Sequence, residues 1–196
     1  MKTGLFGGTF DPIHNGHIKL IHFVKNRLGL DRIICIPSGD PPHKTNKKVT
    51  EKHHRLAMVE EALKDTDILI SDWEINRKEK SYSVELIKHF STELPDDELY
   101  FIIGADSFYD LPTWWHYREL LGLCRFVVVA RPDTDKEALL SRFDGTEKPP
   151  RVFFLDDLLM DISSTQIRKM VKEEKDISHL VPEPVVYYIY NHSLYK

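Results

Sequence analysis

Several features that would place a protein in a common class are missing from this sequence. It contains only two cysteines in 196 residues, and neither has a partner at the spacing of a metal site or a disulfide framework. No apolar stretch approaches the length that crosses a bilayer, and the apolar run behind Met1-Lys2 is too short for a secretion signal. These absences predict a cytoplasmic protein with no membrane partner.

A basic surface and two phosphate-binding motifs are missing as well. The formal net charge is −4, whereas proteins that bind nucleic acid broadly present a basic face, so we expect no nucleic-acid partner. The chain has neither the lysine motif of P-loop hydrolases nor the three-glycine fingerprint of classical dehydrogenases. It also has no obvious nucleophile paired with a base, which favours direct displacement over covalent catalysis.

Short apolar runs alternate with helical patterns along the chain. Six runs predict strands, namely Thr3–Phe6, Arg32–Ile36, Ile68–Ile70, Leu99–Ile103, Arg125–Ala130 and Val152–Leu155. A helix is predicted over Glu51–Lys64, with Arg55 interpreted as its polar edge. The alternation predicts an α/β fold, a Rossmann-like doubly wound parallel sheet, in a single domain over residues 1–196. Such sheets bind ligands at the carboxyl ends of their strands, so the loops that follow the strands are the candidate site.

The loop after the first strand combines several features of an anion site. Gly7 and Gly8 end the predicted strand and let a ligand lie against the backbone. A turn at Asp11-Pro12 follows, and a helix is predicted to begin at Asn15 or Gly16. The first amides of a helix lack partners within it and lie at the positive end of its dipole, which favours an anion.

Two histidines stand at the start of that helix. His14 and His17 are three residues apart and can both project toward the anion, where they would donate hydrogen bonds and, when protonated, positive charge. The alternatives are ordinary surface histidines or two ligands of a zinc ion, but nothing nearby completes a set of three or four ligands. The convergence of glycines, turn and helix start favours the anion site.

A second anion site is predicted behind the last strand. Ser163 and Gln166 have the spacing of a capping box, which marks the start of a helix. The amides and hydroxyls of Ser164 and Thr165, with Arg168 one turn later, would surround an anion. The alternative is a well-capped helix with a surface arginine, but two such sites in one chain suit a polyphosphate held from both ends.

Further loops hold candidate ligand contacts. Lys44 follows the second strand, either as a phosphate contact or as part of a solvated basic turn. Gly104 ends the fourth strand and permits close approach of a ligand, while Asp106 can bind ribose hydroxyls, orient the water of a bound metal or cap a helix. Aromatic residues cluster over 111–117, as in a core or in a stacking surface for a flat ring. Three acidic residues are interpreted as solvated: Asp156, Asp157 and Asp161.

The loop after the first strand and the start of the first helix resemble the signature of the adenylyltransferases and cytidylyltransferases that carry the H-x-G-H motif. The resemblance covers eleven residues, Gly7-Gly8-Thr9-Phe10-Asp11-Pro12-Ile13-His14-Asn15-Gly16-His17. Their form is similar to that of the bacterial nicotinate-nucleotide adenylyltransferases. The same resemblance extends to Pro41-Pro42-His43-Lys44, Gly104-Ala105-Asp106, Ile162–Arg168 and His179–Ile189. It therefore spans nearly the whole chain.

The resemblance implies that the chain transfers the adenylyl group of ATP to nicotinate mononucleotide, which gives nicotinate adenine dinucleotide and pyrophosphate. It implies Mg²⁺ as the cofactor, carried by the ATP phosphates without metal ligands from the protein. It assigns catalytic roles to His14, His17, Lys44 and Arg168. The implied ATP-binding residues are Gly7, Gly8, Thr9, Phe10, Gly16, Gly104, Asp106, Ser163, Ser164 and Thr165. The implied pyridine-nucleotide contacts are His43, Ser81, Tyr82, Ser83, Trp114 and Trp115, with Trp114 stacking on the ring.

One segment departs from the family pattern. Ser81-Tyr82-Ser83 resembles a Ser-Tyr-Thr-x-x-Thr motif that helps to hold the pyridine nucleotide, but Leu86 stands where the second threonine would be. This departure keeps nicotinamide mononucleotide open as the acceptor. A nucleotide sensor that binds without turnover is the alternative from a different class. The sequence allows a homo-oligomer without requiring one.

Overall fold

The computed structural model describes residues 1–40, 49–157 and 161–196, so the predicted site residues His43 and Lys44 lie outside the described residues. The strands are β1 Lys2–Gly8, β2 Arg32–Pro37, β3 Leu69–Ile70, β4 Glu98–Gly104, β5 Arg125–Val129 and β6 Val152–Leu155. They form one six-stranded sheet in the order β3-β2-β1-β4-β5-β6, and every neighbouring pair is parallel. The predicted doubly wound parallel sheet is confirmed.

Helices join successive strands and follow the last one. They are α1 Asn15–Leu28, α2 Lys52–Leu63, α3 Trp73–Asn76, α4 Ser83–Glu93, α5 Ala105–Asp110, α6 Tyr117–Leu123, α7 Lys136–Ser141, α8 Ser164–Lys172 and α9 Glu183–Asn191, with a 3₁₀ turn at Leu111–Thr113. Within the described ranges, none of these helices is long and apolar enough to cross a membrane.

Both faces of the sheet are buried, which explains why its strands are apolar almost throughout. Successive side chains of a strand point to opposite faces, so Ile33 and Cys35 of β2 face one hydrophobic cluster and Ile34 and Ile36 face another. The first cluster is completed by residues of α1, α2, α8 and α9, and the second by residues of α4, α5, α6 and α7. The two layers of helices fix where the loops between strands and helices emerge.

The order of the strands reverses at β1. The chain adds β2 and β3 on one side of β1 and then β4, β5 and β6 on the other side. The loops that leave β1 and β4 therefore diverge, and the crevice between them is where open α/β sheets bind ligands.

Three local predictions are corrected by the structure. The first strand does not end before Gly7 and Gly8, because both continue the ladder opposite Ile36 and Pro37 of β2. A charged turn is predicted from the sequence over Asn76–Lys80, but the first of these residues ends the short helix α3 Trp73–Asn76. The apolar spacing of Val84, Ile87 and Phe90 predicts a helix from Ser81, whereas α4 begins two residues later, so that Ser81 and Tyr82 precede it.

Candidate active site

Three adjoining cavities lie at the carboxyl edge of the sheet. The first, here the central cavity, has a volume of about 230 Å³ and lies at the ends of β1 and β4. The second, the histidine cleft, of about 400 Å³, lies between the β1 loop and the start of α8. The third, the edge cleft, of about 510 Å³, follows β4 and β5. Thr9 lines both the central cavity and the histidine cleft, and Gly104 lines both the central cavity and the edge cleft, so the three adjoin.

These cavities bring together most of the predicted site residues that the structure describes. The central cavity contains Gly7, Gly8, Thr9, Ser81, Tyr82, Ser83, Gly104, Trp114 and Trp115. The histidine cleft contains Thr9, Phe10, His14, His17, Ser163, Ser164, Thr165 and Arg168, and the edge cleft contains Gly104 and Asp106. Gly16 differs, because it is buried against the ring of His14, where a Cβ atom would lie 3.0 Å from Nδ1. Gly16 therefore packs against His14, and its predicted contact with ATP stays a prediction.

The two histidines cap the start of α1 and fix each other's rings. The backbone amide of His17 donates to Nδ1 of His14, and the amide of His14 donates to Nδ1 of His17, each at 3.3 Å. The rings stack with their centroids 3.6 Å apart. Because each Nδ1 accepts a hydrogen bond, the proton of each neutral ring is on Nε2. Nε2 is therefore the ring nitrogen left to donate to a ligand in the cleft.

Both rings are neutral at physiological pH. Burial lowers the pKa of His14 to about 4. Burial is the main cause that lowers the pKa of His17 well below its usual value, and the nearby His14 lowers it further. In the free chain the predicted histidine donors would therefore carry no positive charge at neutral pH. Among the described residues that line the histidine cleft, the cation is Arg168.

The neutral His14 ring should make folding stability depend on pH. The folded chain resists protonation of His14 down to about pH 4, whereas the unfolded chain takes up that proton near pH 6.5. Stability should therefore be unaffected above pH 6.5 and fall by up to about 3 kcal/mol as the pH drops toward 4. We expect His14→Gln, which does not titrate, to lose less stability than the wild type in urea unfolding between pH 7 and 5. His22→Gln, on the same helix, is the control and should keep the wild-type dependence. Identical pH dependence for His14→Gln and the wild type would contradict the assignment.

The β1 loop is held in place by distant parts of the chain. The carboxylate of Asp11 accepts hydrogen bonds from the hydroxyl of Tyr195 at 2.7 Å and from the amide of Thr50 at 3.3 Å. The backbone oxygen of Asp11 accepts a bond from Nη1 of Arg168 at 2.7 Å. Ser164 donates from its hydroxyl to the carbonyl of Pro12 at 2.9 Å. The start of α8 and the C-terminal segment therefore position the loop that carries the histidines.

The two predicted helix starts differ in how many amides they leave for an anion. At α1, the amide of Asn15 donates to the carbonyl of Leu180 at 2.9 Å and the amide of His17 is used by His14, so in the described part of the chain the predicted set of free amides is reduced there to that of Gly16. At α8, the predicted cap is confirmed, since the Ser163 hydroxyl accepts from the Gln166 amide at 3.2 Å. Within the described ranges, the amides of the first two residues of α8 have no acceptor. Among the described residues, the start of α8 therefore leaves more free amides than the start of α1.

The central cavity has mainly apolar walls. Leu86 is only 2% exposed and lines the cavity beside Phe101, so the position of the missing threonine is an apolar wall. The ring of Trp115 is half exposed and lies 4.7 Å from that of Tyr82. Trp114 packs against the second hydrophobic cluster and also lines the cavity. Apolar walls with aromatic rings at the mouth suit a flat ligand.

Comparison with known proteins agrees with this geometry. A model of the family described as cytidylyltransferase-like matches residues 5–170. The chain belongs to the cytidylyltransferase-like family. It is 41% identical, over its whole length and 99% of theirs, to proteins named "Probable nicotinate-nucleotide adenylyltransferase" in Clostridium novyi and Clostridium tetani. The resemblance found in the sequence is therefore confirmed.

Solved structures share the cytidylyltransferase-like fold. A Plasmodium falciparum nicotinic acid mononucleotide adenylyltransferase, solved in complex with NaAD, gives a TM-score of 0.82 at 23% identity, covering 100% of this chain and 98% of that one. A protein from Vibrio parahaemolyticus, described as a putative nicotinate-nucleotide adenylyltransferase, gives 0.70 at 21% identity, with 100% and 96% covered. At these identities the likeness establishes the fold.

A buried arginine in this cytidylyltransferase-like chain was missed by the sequence interpretation. Arg55 is 1% exposed, so the interpretation of it as the polar edge of α2 is wrong. Its guanidinium donates to the carbonyls of Thr9 at 2.7 Å, Gly39 at 2.9 Å and Thr50 at 2.9 Å. Burial lowers the pKa of Arg55, and nearby acidic groups, with Asp11 foremost, oppose that shift. Arg55 thus joins the β1 loop to both ends of the connection between β2 and α2.

The structure places the acidic residues singled out in the sequence in different surroundings. Asp106 is exposed in the first turn of α5 and lines the edge cleft, whereas the N-cap of α5 is Gly104, so the capping alternative is wrong. Asp156 lies 2.6 Å from Nζ of Lys136, and Asp157 lies 3.9 Å from Nε of Arg27. No group of three or more histidine, cysteine or acidic residues suited to a metal ion occurs in ranges 1–40, 49–157 and 161–196.

Proposed function

We propose that the chain transfers the adenylyl group of ATP to nicotinate mononucleotide, forming nicotinate adenine dinucleotide and releasing pyrophosphate. The observation that carries this proposal is the wall shared by two cavities: Thr9 lines both the histidine cleft and the central cavity. An ATP phosphate beside the histidines would therefore meet a nucleotide whose ring occupies the central cavity. The names of the full-length relatives support the same reaction.

The proposed reaction is a direct in-line displacement. A phosphate oxygen of nicotinate mononucleotide attacks the α-phosphorus of ATP, a new P–O bond forms, and the bond to the β-phosphate oxygen breaks. Pyrophosphate leaves with that electron pair. The reaction needs positioning and charge stabilisation rather than a protein nucleophile. Nε2–H groups of His14 and His17 would donate to the α-phosphate oxygens as their charge grows.

The departing pyrophosphate would be held by the start of α8. Arg168 lies in the histidine cleft and is oriented by its bonds to Asp11 and Thr165. The amides of Ser164 and Thr165 supply further donors at the positive end of the α8 dipole. We assign Lys44 the same role from its sequence motif.

We propose Mg²⁺ as the cofactor. It prefers oxygen ligands and retains several waters, so ATP phosphates can supply most of its coordination. The exposed carboxylate of Asp106 in the edge cleft fits that chemistry, because it can accept hydrogen bonds from metal-bound water or from a ribose. When bound, the ion would neutralise charge on the β- and γ-phosphates.

A cytoplasmic location is part of the proposal. It is supported by the two cysteines, which are free and buried in different hydrophobic clusters. Burial raises the pKa of Cys124 to about 12 and raises that of Cys35 as well. Such thiols are unreactive and suit a reducing compartment.

The function is tested by pyrophosphate release from ATP and Mg²⁺ with nicotinate mononucleotide or nicotinamide mononucleotide at equal concentrations. We expect a strong preference for the acid. Preference for the amide would favour the second candidate, which the apolar Leu86 in the cavity wall keeps open. Binding of either nucleotide without pyrophosphate release would contradict the enzyme and favour a sensor.

Loss of the Trp114 ring should weaken binding of the pyridine nucleotide selectively. Stacking between aromatic rings contributes about 0.5–1.5 kcal/mol, so Trp114→Ala should raise KM for nicotinate mononucleotide by about 3- to 10-fold. KM for ATP should stay within about twofold, and Trp114→Phe should recover most of the loss. Tyr187→Ala is the control, because Tyr187 is an exposed aromatic residue of α9 outside the lining of the central cavity. An equal rise in both KM values would exclude the stacking role.

A further inference from the structure

One corner of the central cavity is polar and contains a buried carboxyl group. Ser38, Glu74 and Ser81 line this corner, whereas most of the remaining lining is apolar or backbone. Glu74 belongs to α3 and is 5% exposed. A buried carboxyl group in a ligand cavity is costly unless its oxygens are hydrogen-bonded, so its partners indicate what it does.

The partners of Glu74 come from two other segments around the cavity. The amide of Gly39 donates both to the hydroxyl oxygen of Ser81 at 3.0 Å and to Oε2 of Glu74 at 3.3 Å. The Gly39 amide is therefore shared by the two side chains, and the Ser81 hydroxyl also lowers the pKa of the Glu74 carboxyl. The amide of Ser81 donates to the carbonyl of Asp40 at 3.0 Å. Glu74 therefore joins the loop after β2 to the segment 81–83, which precedes and begins α4.

The geometry leaves this junction little freedom. A Cβ atom on Gly39 would lie 2.2 Å from the backbone oxygen of Glu74, so the loop packs directly on α3. The carbonyl of Gly39 is held by Arg55 from the other side. The helix is anchored by Trp73, whose ring stacks on His89, while the guanidinium of Arg77 lies 4.4 Å above the same ring. Glu74 is thus presented from a fixed support.

The charge of Glu74 is balanced between opposing effects. Burial raises the pKa of Glu74, while the bonds from Ser81 and Gly39 and the charges of Arg77 and Arg55 oppose that rise. Because these effects oppose one another, we attribute the positioning role of Glu74 to its two acceptor oxygens rather than to its charge. Glutamine retains an acceptor oxygen at the same place without the charge.

We propose that Glu74 is a positioning residue for the pyridine nucleotide: it holds Ser81, and through Ser81 the segment 81–83, against the central cavity. This inference rests on the proposed function, because that function supplies the ligand of the cavity. The hydroxyl oxygen of Ser38 agrees with it, since this atom is buried in the corner and has no hydrogen-bond partner in the described part of the chain. A bound nucleotide can supply the missing partner.

The test compares four variants in pyrophosphate release, varying nicotinate mononucleotide and ATP separately. Glu74→Ala should raise KM for nicotinate mononucleotide about tenfold, because the buried carboxyl that accepts from Gly39 and faces Ser81 is lost, and leave KM for ATP and kcat within about twofold. Ser81→Ala should raise the same KM about threefold. Glu74→Gln should stay within about twofold of the wild type. Glu147→Ala is the matched control, because Glu147 is an exposed carboxylate outside the lining of the central cavity, and it should not change any constant.

Several results would overturn the inference. Glu74→Ala could raise KM for both substrates equally, or Glu74→Gln could be as impaired as Glu74→Ala. Ser81→Ala could also leave KM for nicotinate mononucleotide unchanged. If Glu74→Ala does not fold, Glu74→Gln and Ser81→Ala carry the test with the same expected values. Failure of the proposed function would appear differently, as a wild-type protein that releases no pyrophosphate with nicotinate mononucleotide. Direct titration of nicotinate mononucleotide by calorimetry would then still report whether Glu74 and Ser81 position the ligand.

Discussion

His17→Ala should lower kcat by about a hundredfold or more and leave KM for ATP within about threefold. Removal of one preorganised donor to a developing oxyanion typically costs a factor of about 10²–10³ in kcat. His17 fits that description, because its Nδ1 accepts the amide of His14 and its Nε2 is left for the cleft. The donor is of use mainly as phosphate charge grows, so the loss should appear in turnover rather than in affinity. Steady-state pyrophosphate release measures both constants.

The same substitution also removes part of a helix cap, which must be separated from the chemistry. Loss of a cap costs about 1 kcal/mol of stability, and a domain with several kcal/mol of stability would remain almost entirely folded. Urea unfolding of His17→Ala should confirm that small loss. His22→Ala, on α1 outside the cleft, is the matched control and should turn over like the wild type. A His17→Ala enzyme with wild-type turnover would refute the role assigned to the ring.

Arg55→Met should destabilise the folded chain by about 3–5 kcal/mol. Methionine fills a similar volume but donates no hydrogen bond, so the carbonyls of Thr9, Gly39 and Thr50 lose their shared donor. The buried carboxylate of Asp11 also loses the positive charge near it. Urea unfolding followed by circular dichroism measures the loss.

Two further arginine variants define what the guanidinium contributes. Arg55→Lys should recover only part of the stability, because one ammonium group does not reproduce the planar fork that binds three carbonyls. Arg27→Met is the surface control: the Arg27 side chain is 61% exposed, so its loss should change stability by less than about 0.5 kcal/mol. Stability of Arg55→Met within 1 kcal/mol of the wild type would show that the β1 loop and the β2–α2 connection hold without the guanidinium.

The fold could be predicted because its signals are local. Each strand is a short apolar run, each long helix has apolar residues at regular spacing, and the loop glycines and Ser163 mark where elements meet. The central strand was predicted too short because Gly7 and Gly8 are usually turn residues. Here Gly7 and Gly8 remain in β1 because the parallel strand β2 pairs with them. The sequence alone does not show which strand lies beside β1.

The remaining features of the site depend on contacts between distant residues. Arg55 reaches a carbonyl 46 positions away, at Thr9, and Glu74 is fixed by the amide of Gly39, 35 positions away. Neither side chain belongs to a loop motif, so spacing gave no indication of its role. The sequence left the charge of the histidines open for a related reason, since their lowered pKa values follow from burial that only the packed structure shows.

The contacts that hold the β1 loop also bear on when the site forms during folding. Asp11 bonds to Tyr195 across 184 positions and to Arg168 across 157, and Asn15 bonds to the carbonyl of His179 across 164. Contacts between residues so far apart in sequence close long loops, and closing a long loop costs conformational entropy. We therefore expect these contacts to form late in folding. A partly folded chain can therefore contain much of its sheet before the histidine cleft has formed. The rings of His14 and His17 are then not yet held in position. Catalytic activity is for this reason a reporter of completed folding, more stringent than secondary structure.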